Sequence, residues 1–319
     1  MKSIELLNRA YGKFGVAAFN VFNAEQVMGV FEGAAAANTP ILVAITPAAR
    51  RYIYPWVLEG MIRGAAMVYP DVEFAVHLDH GDVRHCLSGI DSGFYSSVMI
   101  DASHEDFEAN VSITREIVET AHSMGVSVEA ELGVLGGVED DISVSERMAR
   151  YTDPEKAVEF VERTGCDSLA VAVGTSHGAY KFAGAGRLEM GILERMREKL
   201  PGFPLVLHGA SAVPRVEVER INRAGGNIPL KASGVPAGEI REAIKLGVCK
   251  VNIATDMRLI WARRHREFFR DDPEGFDPLI PGKGYISDLA GFVAEKCEML
   301  GSSEKACAPA ALFTAKIEE

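Results

Sequence analysis

The chain is poor in cysteine and has no long apolar run. Its 319 residues include five scattered cysteines, an odd number with no Cys-x-x-Cys pair. This usage argues against a disulfide framework or a thiolate metal site and is typical of reduced thiols. No apolar run approaches the roughly 20 residues of a membrane-spanning helix, and the first fifteen residues lack the apolar region of a secretory signal. We therefore expect a cytoplasmic protein with no membrane partner.

Positive charge is also scarce. The sequence has 33 Lys and Arg residues against 45 Asp and Glu residues, for a formal net charge of −12. Because binding of a phosphate backbone needs a basic surface, no nucleic-acid partner is expected. A small phosphorylated ligand remains compatible with this charge, since it needs only a local cationic or amide-lined pocket.

Short apolar runs alternate with helical patterns through most of the chain. Eight runs predict strands, and they are nearly continuous hydrophobes, as expected for parallel strands buried on both faces. They are Gly15–Phe19, Ile41–Ile45, Glu73–Leu78, Ser97–Ile100, Ser127–Ala130, Ser168–Val173, Pro204–Leu207 and Lys250–Ile253. Apolar residues at helical spacing separate them, as in Ala24–Ala37, Phe107–Ser123 and Pro154–Thr164. Eight such units predict an α/β fold, a (β/α)8 TIM barrel. The rival is a doubly wound open sheet, but no Gly-x-Gly-x-x-Gly follows the first strand.

No repeat, low-complexity segment or linker divides the sequence, so we predict a single domain over residues 1–319. Extra C-terminal helices are expected over residues 257–305 as an extension of that domain. They comprise a charged helix, Met257–Phe269, a Pro/Gly-rich stretch, Asp272–Gly284, and a last helix, Ile286–Leu300. Residues 306–319 are predicted to be a loosely held tail.

Three histidines follow apolar runs: His80 after FAVHLD, His177 after LAVAVGTS and His208 after FPLVL. In such a barrel the active site lies at the carboxyl ends of the strands, where residues distant in sequence meet. Three imidazoles would make an open metal site with room for a substrate. A lone histidine is more often a core residue, and spacing alone leaves both interpretations open.

Most predicted strands are followed by a polar residue, which favours an enzyme over a purely structural barrel. Besides the histidines these residues are Asn20, Thr46, Asp79, Asp101, Glu131, Asn252 and Thr255. In HLDHG, strand alternation places His77 and Asp79 on one face and Leu78 and His80 on the other. We interpret His80 as a metal ligand just beyond the strand, Asp79 as an acid/base beside it, and His77 as a buried structural partner.

Two carboxylates, Glu129 and Glu131, share one face at the end of the fifth predicted strand. Burying them is unfavourable unless they are paired or metal-bound, so at least one should face the site. The following stretch, Gly133–Tyr151, is rich in glycine and acidic residues. It is either a solvated acidic loop or a mobile lid that carries Glu139 over the metal.

Two segments suit a phosphate group. The sequence GAS at 209–211 precedes a helix predicted from about Pro214, and NIAT at 252–255 follows the eighth strand. Amides at helix N-termini bind anions, and barrels often place phosphate after strands seven and eight. Gly178 and Lys181 could close this pocket and add a positive charge.

The segments HLDHG, VEAELGVLGGVED, AVGTSHGAYKF, LVLHGAS and KVNIATDMR resemble, in order, the motifs of the class II, zinc-dependent fructose-bisphosphate aldolases. The resemblance is greatest to the branch that also contains the tagatose-bisphosphate aldolases, and it runs from about Ala18 to about Lys305. It implies that His80, His177 and His208 bind Zn²⁺, with Glu131 as an accessory carboxylate. It also implies a monovalent cation, Na⁺ or K⁺, near the phosphate.

The resemblance assigns roles to the other residues as well. Asp79 would be the acid/base at the C4 hydroxyl or the incoming aldehyde, and Glu139 the lid residue that moves the proton on the dihydroxyacetone-phosphate carbon. Residues implied to hold the dihydroxyacetone-phosphate end are Gly178, Lys181, Gly209, Ser211, Asn252 and Thr255, with Asn20 near the substrate. Arg258 resembles the arginine that reaches the far phosphate of a neighbouring subunit's substrate, which implies a homodimer or a multiple of it.

Two positions depart from the family pattern. Ala254 stands where fructose-type members usually carry aspartate and tagatose-type members tend to carry alanine. Thr46 stands where a substrate-binding serine is usual, and Pro47 and Ala48 alter that loop. The resemblance thus implies reversible aldol cleavage of fructose 1,6-bisphosphate, a glycolytic reaction. The alternative is cleavage of tagatose 1,6-bisphosphate or another ketose phosphate.

Two other chemistries are conceivable on this barrel. A metal-dependent hydrolase would prefer paired histidines on the first strand and a ligand on the last, whereas Asn20 and Asn252 end those strands. A lysine-based aldolase is disfavoured because Lys250 lies within a strand and Lys231 lies outside one.

Overall fold

The structure is a computed structural model that describes residues 1–134, 136–139, 142–144, 151–177, 187–230 and 234–307, with the backbone alone at 136–139, 142–144, 176 and 177. The strands are β1 Val16–Asn20, β2 Ile41–Ile45, β3 Phe74–Gly81, β4 Ser97–Ile100, β5 Ser127–Leu132, β6 Gly136–Glu139, β7 Ile142–Val144, β8 Ser168–Val171, β9 Ser176–His177, β10 Leu205–Leu207 and β11 Val248–Ile253. The helices are α1 Ser3–Ala10, α2 Ala24–Ala36, α3 Pro47–Tyr52, α4 Pro55–Val68, α5 Val83–Asp91, α6 Phe107–Ser123, α7 Pro154–Thr164, α8 Met190–Lys199, α9 Arg215–Arg223, α10 Ala237–Lys245, α11 Thr255–Asp271 and α12 Leu279–Met299.

Eight parallel strands close into a barrel in the order β1-β11-β10-β8-β5-β4-β3-β2. Each strand bonds a neighbour on both sides; Ala18 of β1, for example, lies opposite Leu42 of β2 and Asn252 of β11. Nearly every strand residue is buried, because helices cover the outside of the barrel and side chains fill the inside. The predicted (β/α)8 barrel is confirmed.

Predicted and observed bounds coincide for β2, β4, α6 and α7, and differ at the C-terminal helices. Helix α12 begins at Leu279, inside the stretch predicted as an irregular Pro/Gly segment. Pro281 lies in its first turn, where the missing amide proton removes no helical bond. The absence of a side chain at Gly33 lets α2 approach α12 closely, since a Cβ there would lie 2.4 Å from the Ala290 carbonyl oxygen.

A second, smaller sheet was not predicted. Strands β6, β7 and β9 form it in the order β7-β6-β9, and Gly137 of β6 lies opposite His177 of β9. The sixth barrel strand ends at Val171, two residues before the predicted end at Val173, and His177 follows it on a strand of the added sheet. The small sheet places the backbone that carries Glu139 beside the backbone of His177.

The first two residues of the predicted loose tail, Ala306 and Cys307, are hydrogen-bonded to the rest of the domain. The amide of Ala306 bonds the Asn38 carbonyl, and the amide of Cys307 bonds the Glu73 carboxylate. The rest of that predicted tail, from residue 308, lies outside the described residues. Among the described helices, none has both the length and the apolarity to cross a membrane.

Candidate metal centre and active site

An irregularity at the end of β3 brings His80 into the site. His80 has a left-handed backbone with φ of 48°, and the register between β3 and β4 shifts between Leu78 and Gly81. In a regular strand His80 would point away from Asp79. Here the ligand atoms of Asp79, His80 and His208 all lie within 4.8 Å of one another. Strain and bulges of this kind are concentrated at functional sites.

The two described imidazoles are each anchored by a carboxylate. His80 Nδ1 lies 2.9 Å from Asp101 Oδ2, and His208 Nε2 lies 2.9 Å from Glu129 Oε1. The inner nitrogens, His80 Nε2 and His208 Nδ1, lie 2.9 Å apart. When both rings are neutral and the outer nitrogens donate, each inner nitrogen carries a lone pair. Metal-binding histidines are typically held in this way by carboxylates. The facing lone pairs suit a shared cation.

The carboxylates around His80 favour a positive charge at this position, as the pKa of His80 shows. Burial alone would lower this pKa, but the hydrogen bond to Asp101 and the nearby charges of Asp79 and Glu131 raise it well above its usual value. A cation held by the inner nitrogens would also supply positive charge to these carboxylates.

Glu131 completes a second group of ligand atoms. Its carboxylate, His80 and Asp101 lie within 4.8 Å of one another. Glu131 Oε2 is buried and has no hydrogen-bond partner among the described residues, and burial, reinforced by Asp101, raises the pKa of this carboxyl well above its usual value. A nearby cation would remove the penalty of this unpaired atom. Imidazole nitrogens with a carboxylate oxygen are a donor set that fits Zn²⁺.

Four predicted residues cannot be placed at side-chain level. His177 lies on β9 and Glu139 on β6, where the structure describes the backbone alone. Gly178 and Lys181 lie outside the described residues. Their roles therefore remain predictions.

Asp79 is fully buried and held by two asparagines. Its Oδ2 accepts from Asn20 Nδ2 at 2.7 Å, and its Oδ1 accepts from Asn252 Nδ2 at 2.9 Å. Burial alone would raise the pKa of Asp79, but the positive charges of His80 and Lys250 hold it well below its usual range. Asp79 is thus an oriented carboxylate, ionised at neutral pH and able to accept a proton.

A buried ion-pair network under the site was missed at the sequence level. Lys250 Nζ donates to Glu129 Oε2 at 2.7 Å, to Glu129 Oε1 at 2.9 Å and to His77 Nε2 at 2.9 Å. Burial opposes ionisation of Glu129, but Lys250 outweighs it and lowers the pKa to about 2. Burial and Lys250 lower the pKa of His77 to about 3. His77 is buried, as predicted, and its ring bonds Ser97 and Lys250. The two-residue period of β11, which places Lys250 on the face of Asn252, could have revealed this lysine.

Asp256 accepts hydrogen bonds from the loop that follows β10 and contains the predicted phosphate segment 209–211. Gly209 has a φ of 64° and Ser211 is buried. Asp256 Oδ2 accepts from the Ala212 amide at 3.0 Å, and its Oδ1 accepts from the Val213 amide at 2.8 Å. Because β10 and β11 are neighbours, this loop and the start of α11 at Thr255 lie at the same edge of the barrel.

Thr46 and Arg258 line one cavity of about 500 Å³ at the carboxyl ends of β2 and β11. Thr46 Oγ1 caps α3 by accepting from the Ala49 amide at 3.2 Å. The Arg258 guanidinium lies over the Phe22 ring, 5.9 Å from its centroid. Tyr52 and Trp261 contribute aromatic walls to the cavity.

Known proteins match the chain over most of its length. The family model for class-II fructose-bisphosphate aldolase matches residues 1–305. A fructose-bisphosphate aldolase from Giardia intestinalis is 44% identical over 283 residues, covering 87% of this chain and 86% of the relative. One from Thermus caldophilus is 43% identical over 308 residues, covering 95% of this chain and 98% of the relative.

Solved structures share the fold. The YdjI aldolase from Escherichia coli K12 superposes with a TM-score of 0.75 at 30% identity, covering 96% of this chain and 99% of that one. The fructose-bisphosphate aldolase from Campylobacter jejuni superposes with a TM-score of 0.68 at 23% identity, covering 95% and 94% of the two chains.

Proposed function

This chain belongs to the class-II fructose-bisphosphate aldolase family, and on that premise we propose that it is a zinc-dependent aldolase that reversibly cleaves fructose 1,6-bisphosphate to dihydroxyacetone phosphate and glyceraldehyde 3-phosphate. The observation that carries the proposal is the convergence of Asp79, His80 and His208 at the carboxyl ends of the barrel strands. A hydrolase is disfavoured because Asn20 and Asn252, at the ends of β1 and β11, bond Asp79 and are not metal ligands.

His80 and His208, together with His177, would hold the Zn²⁺, with Glu131 as the accessory carboxylate. When bound, the ion would supply a Lewis acid at the ketose carbonyl oxygen, a contribution of several kcal/mol. Asp101 and Glu129 fix the two described rings, so the chain itself sets the direction of the ligand lone pairs.

Asp79 is the general base for the C4 hydroxyl proton. Cleavage between C3 and C4 turns the C4 hydroxyl into an aldehyde, so the hydroxyl proton must be removed as the bond breaks. Asp79 accepts it, a general-base contribution of about 10²–10⁴ in rate. Asn20 and Asn252 hold the carboxylate in one orientation during that transfer.

The remaining roles extend the same reaction. Glu139 protonates the carbon of the departing three-carbon fragment, which gives dihydroxyacetone phosphate. Its phosphate is held by Gly178, Lys181, Gly209, Ser211, Asn252 and Thr255, with Na⁺ or K⁺ close by. Asn20 and Thr46 lie near the substrate, and Arg258 reaches the far phosphate.

The protein acts as a homodimer or a multiple of it in the cytoplasm, in glycolysis. Support comes from aromatic residues that a monomer leaves in solvent: Tyr52 is 74% exposed and Trp56 77% exposed. Tyr52 shares the Arg258 cavity, so a second copy packed there would adjoin the substrate site.

Tagatose 1,6-bisphosphate is the second candidate substrate. Ala254 is buried at the N-cap of α11, between Asn252 and Thr255. Without an aspartate side chain there, the site lacks a polar group that fructose-type members usually carry.

A coupled assay for triose phosphate tests both substrates, each with and without EDTA. We expect faster release from the fructose epimer and loss of both activities in EDTA. Release from neither epimer would indicate another aldehyde partner, and full activity in EDTA would refute the zinc mechanism.

A further inference from the structure

We infer that Lys250 is a positioning residue for the metal centre: acting through Glu129, it keeps the His208 imidazole in the state whose Nδ1 lone pair faces the metal. This inference rests on the zinc site of the proposed function. It gives Lys250 a role beyond its electrostatic effect on Asp79, whose Oδ1 lies 3.8 Å from Lys250 Nζ.

The three groups form one continuous contact path. Glu129 Oε1 is shared, lying 2.9 Å from Lys250 Nζ and 2.9 Å from His208 Nε2. Glu129 Oε2 bonds Lys250 alone among the described residues, at 2.7 Å. Lys250 and His208 are 0% exposed and Glu129 is 2% exposed, so water cannot replace any member of the path.

The direction of each hydrogen bond follows from the chemistry of its donors. An ammonium group only donates, and a carboxylate that it holds only accepts. His208 Nε2 must therefore carry the proton that points to Glu129. Since a neutral imidazole has one N–H, Nδ1 keeps its lone pair, and Nδ1 is the atom that lies 2.9 Å from His80 Nε2.

Replacing Glu129 with glutamine would disturb this arrangement of donors and acceptors as long as Lys250 is present. The amide has one oxygen and one NH₂ group, and Lys250 Nζ lies against both carboxylate oxygens. In either orientation of the amide its NH₂ group therefore lies against Lys250 Nζ, a second donor, so the two groups have to move apart. That movement disturbs the shared Oε1 position, which accepts the proton of His208 Nε2. Removing Lys250 as well frees the glutamine to turn its oxygen toward His208.

The inference therefore predicts a rescue. We expect Lys250→Met to weaken zinc binding about 10–100-fold, the usual range for a residue that orients a metal ligand. Glu129→Gln should also weaken it, and the double variant should bind zinc about tenfold more tightly than Glu129→Gln alone. A lysine that merely fills space would make the two losses add.

The test measures zinc affinity by competition with a chromogenic chelator, together with the visible spectrum of the Co²⁺-loaded protein, in the wild type and all three variants. Lys245→Met is the matched control, because Lys245 lies exposed on α10 and pairs only with Glu242 among the described residues. The control should match the wild type, and the rescued double variant should regain the wild-type Co²⁺ spectrum.

Two results would overturn the inference: wild-type zinc affinity in Lys250→Met, or a double variant that binds zinc no more tightly than Glu129→Gln. If Lys250→Met does not fold, the comparison of Glu129→Gln with the double variant decides. A wild-type protein that binds no zinc would instead refute the proposed function.

Discussion

On each side of the metal centre a carboxylate bonds a histidine, but the two carboxylates lie in different surroundings. On the buried side, His208 bonds Glu129, which is neutralised by the fully buried Lys250. On the rim, His80 bonds Asp101, whose side chain is 13% exposed and is held by the hydroxyl of Ser103 at 2.8 Å. Burial without water leaves a carboxylate charge that is costly unless a cation pairs with it, and Lys250 supplies that cation to Glu129, whereas Asp101 reaches solvent.

The largest effect on activity is expected at Asp79, which lies close to both His80 and His208. Asp79→Ala should lower kcat by about 10²–10⁴, because the C4 hydroxyl proton loses its acceptor, while zinc stays bound through the histidines. Steady-state kinetics with metal analysis measures this, and Asp71→Ala, at an exposed position before β3, is the control. Loss of zinc would mean that Asp79 is a metal ligand.

The buried side should be far more sensitive than the rim to removal of a charge. Lys250→Met leaves the Glu129 carboxylate buried without a cation and should lower the free energy of unfolding by about 3–5 kcal/mol. Asp101→Asn keeps an acceptor for His80 at a partly exposed position and should cost about 1 kcal/mol. Denaturant unfolding of both variants tests this, and equal losses would remove the distinction between the two sides.

Removing the metal should loosen the rim more than the buried side. After chelation, amide hydrogen exchange should speed up over residues 79–104, which include the strained His80 and Asp101. Exchange over 127–132 and 248–253 should change less, since Glu129 and Lys250 still hold each other. Faster exchange in all three segments alike would show that the metal, not the ion pair, holds the buried side.

The smallest effect is expected at Ala254, which lies outside both anchors. Ala254→Asp should shift the ratio of fructose to tagatose bisphosphate cleavage, because it adds a polar group between Asn252 and Thr255. Ala254→Ser is a control for size. An unchanged ratio of kcat/KM for the two epimers would show that this position does not discriminate them.

The barrel was predictable because its strands are buried on both faces and read as continuous apolar runs. The barrel fold in turn predicts that polar residues at the carboxyl ends of the strands meet. On that basis the sequence places Asp79 and His80 in the candidate site. The inward turn of His80 was not predictable, since it depends on a left-handed residue and a register shift that strand alternation does not encode.

The parts that escaped prediction depend on contacts distant in sequence. Lys250 and Glu129 are 121 residues apart, and nothing near either one indicates its partner. The small sheet that holds the His177 backbone consists of three short strands, two of them in a glycine- and acid-rich stretch that reads as a loop. Helix α12 begins among prolines and glycines, and its packing on α2 overrides their weak helix propensity.

The proposed activity requires a metal held by His80 and His208. Its most direct test is a titration of metal-free protein with Zn²⁺ while triose phosphate release from fructose 1,6-bisphosphate is followed. We expect no cleavage without metal and a linear recovery that ends near one Zn²⁺ per chain. Full cleavage by the metal-free protein would contradict it.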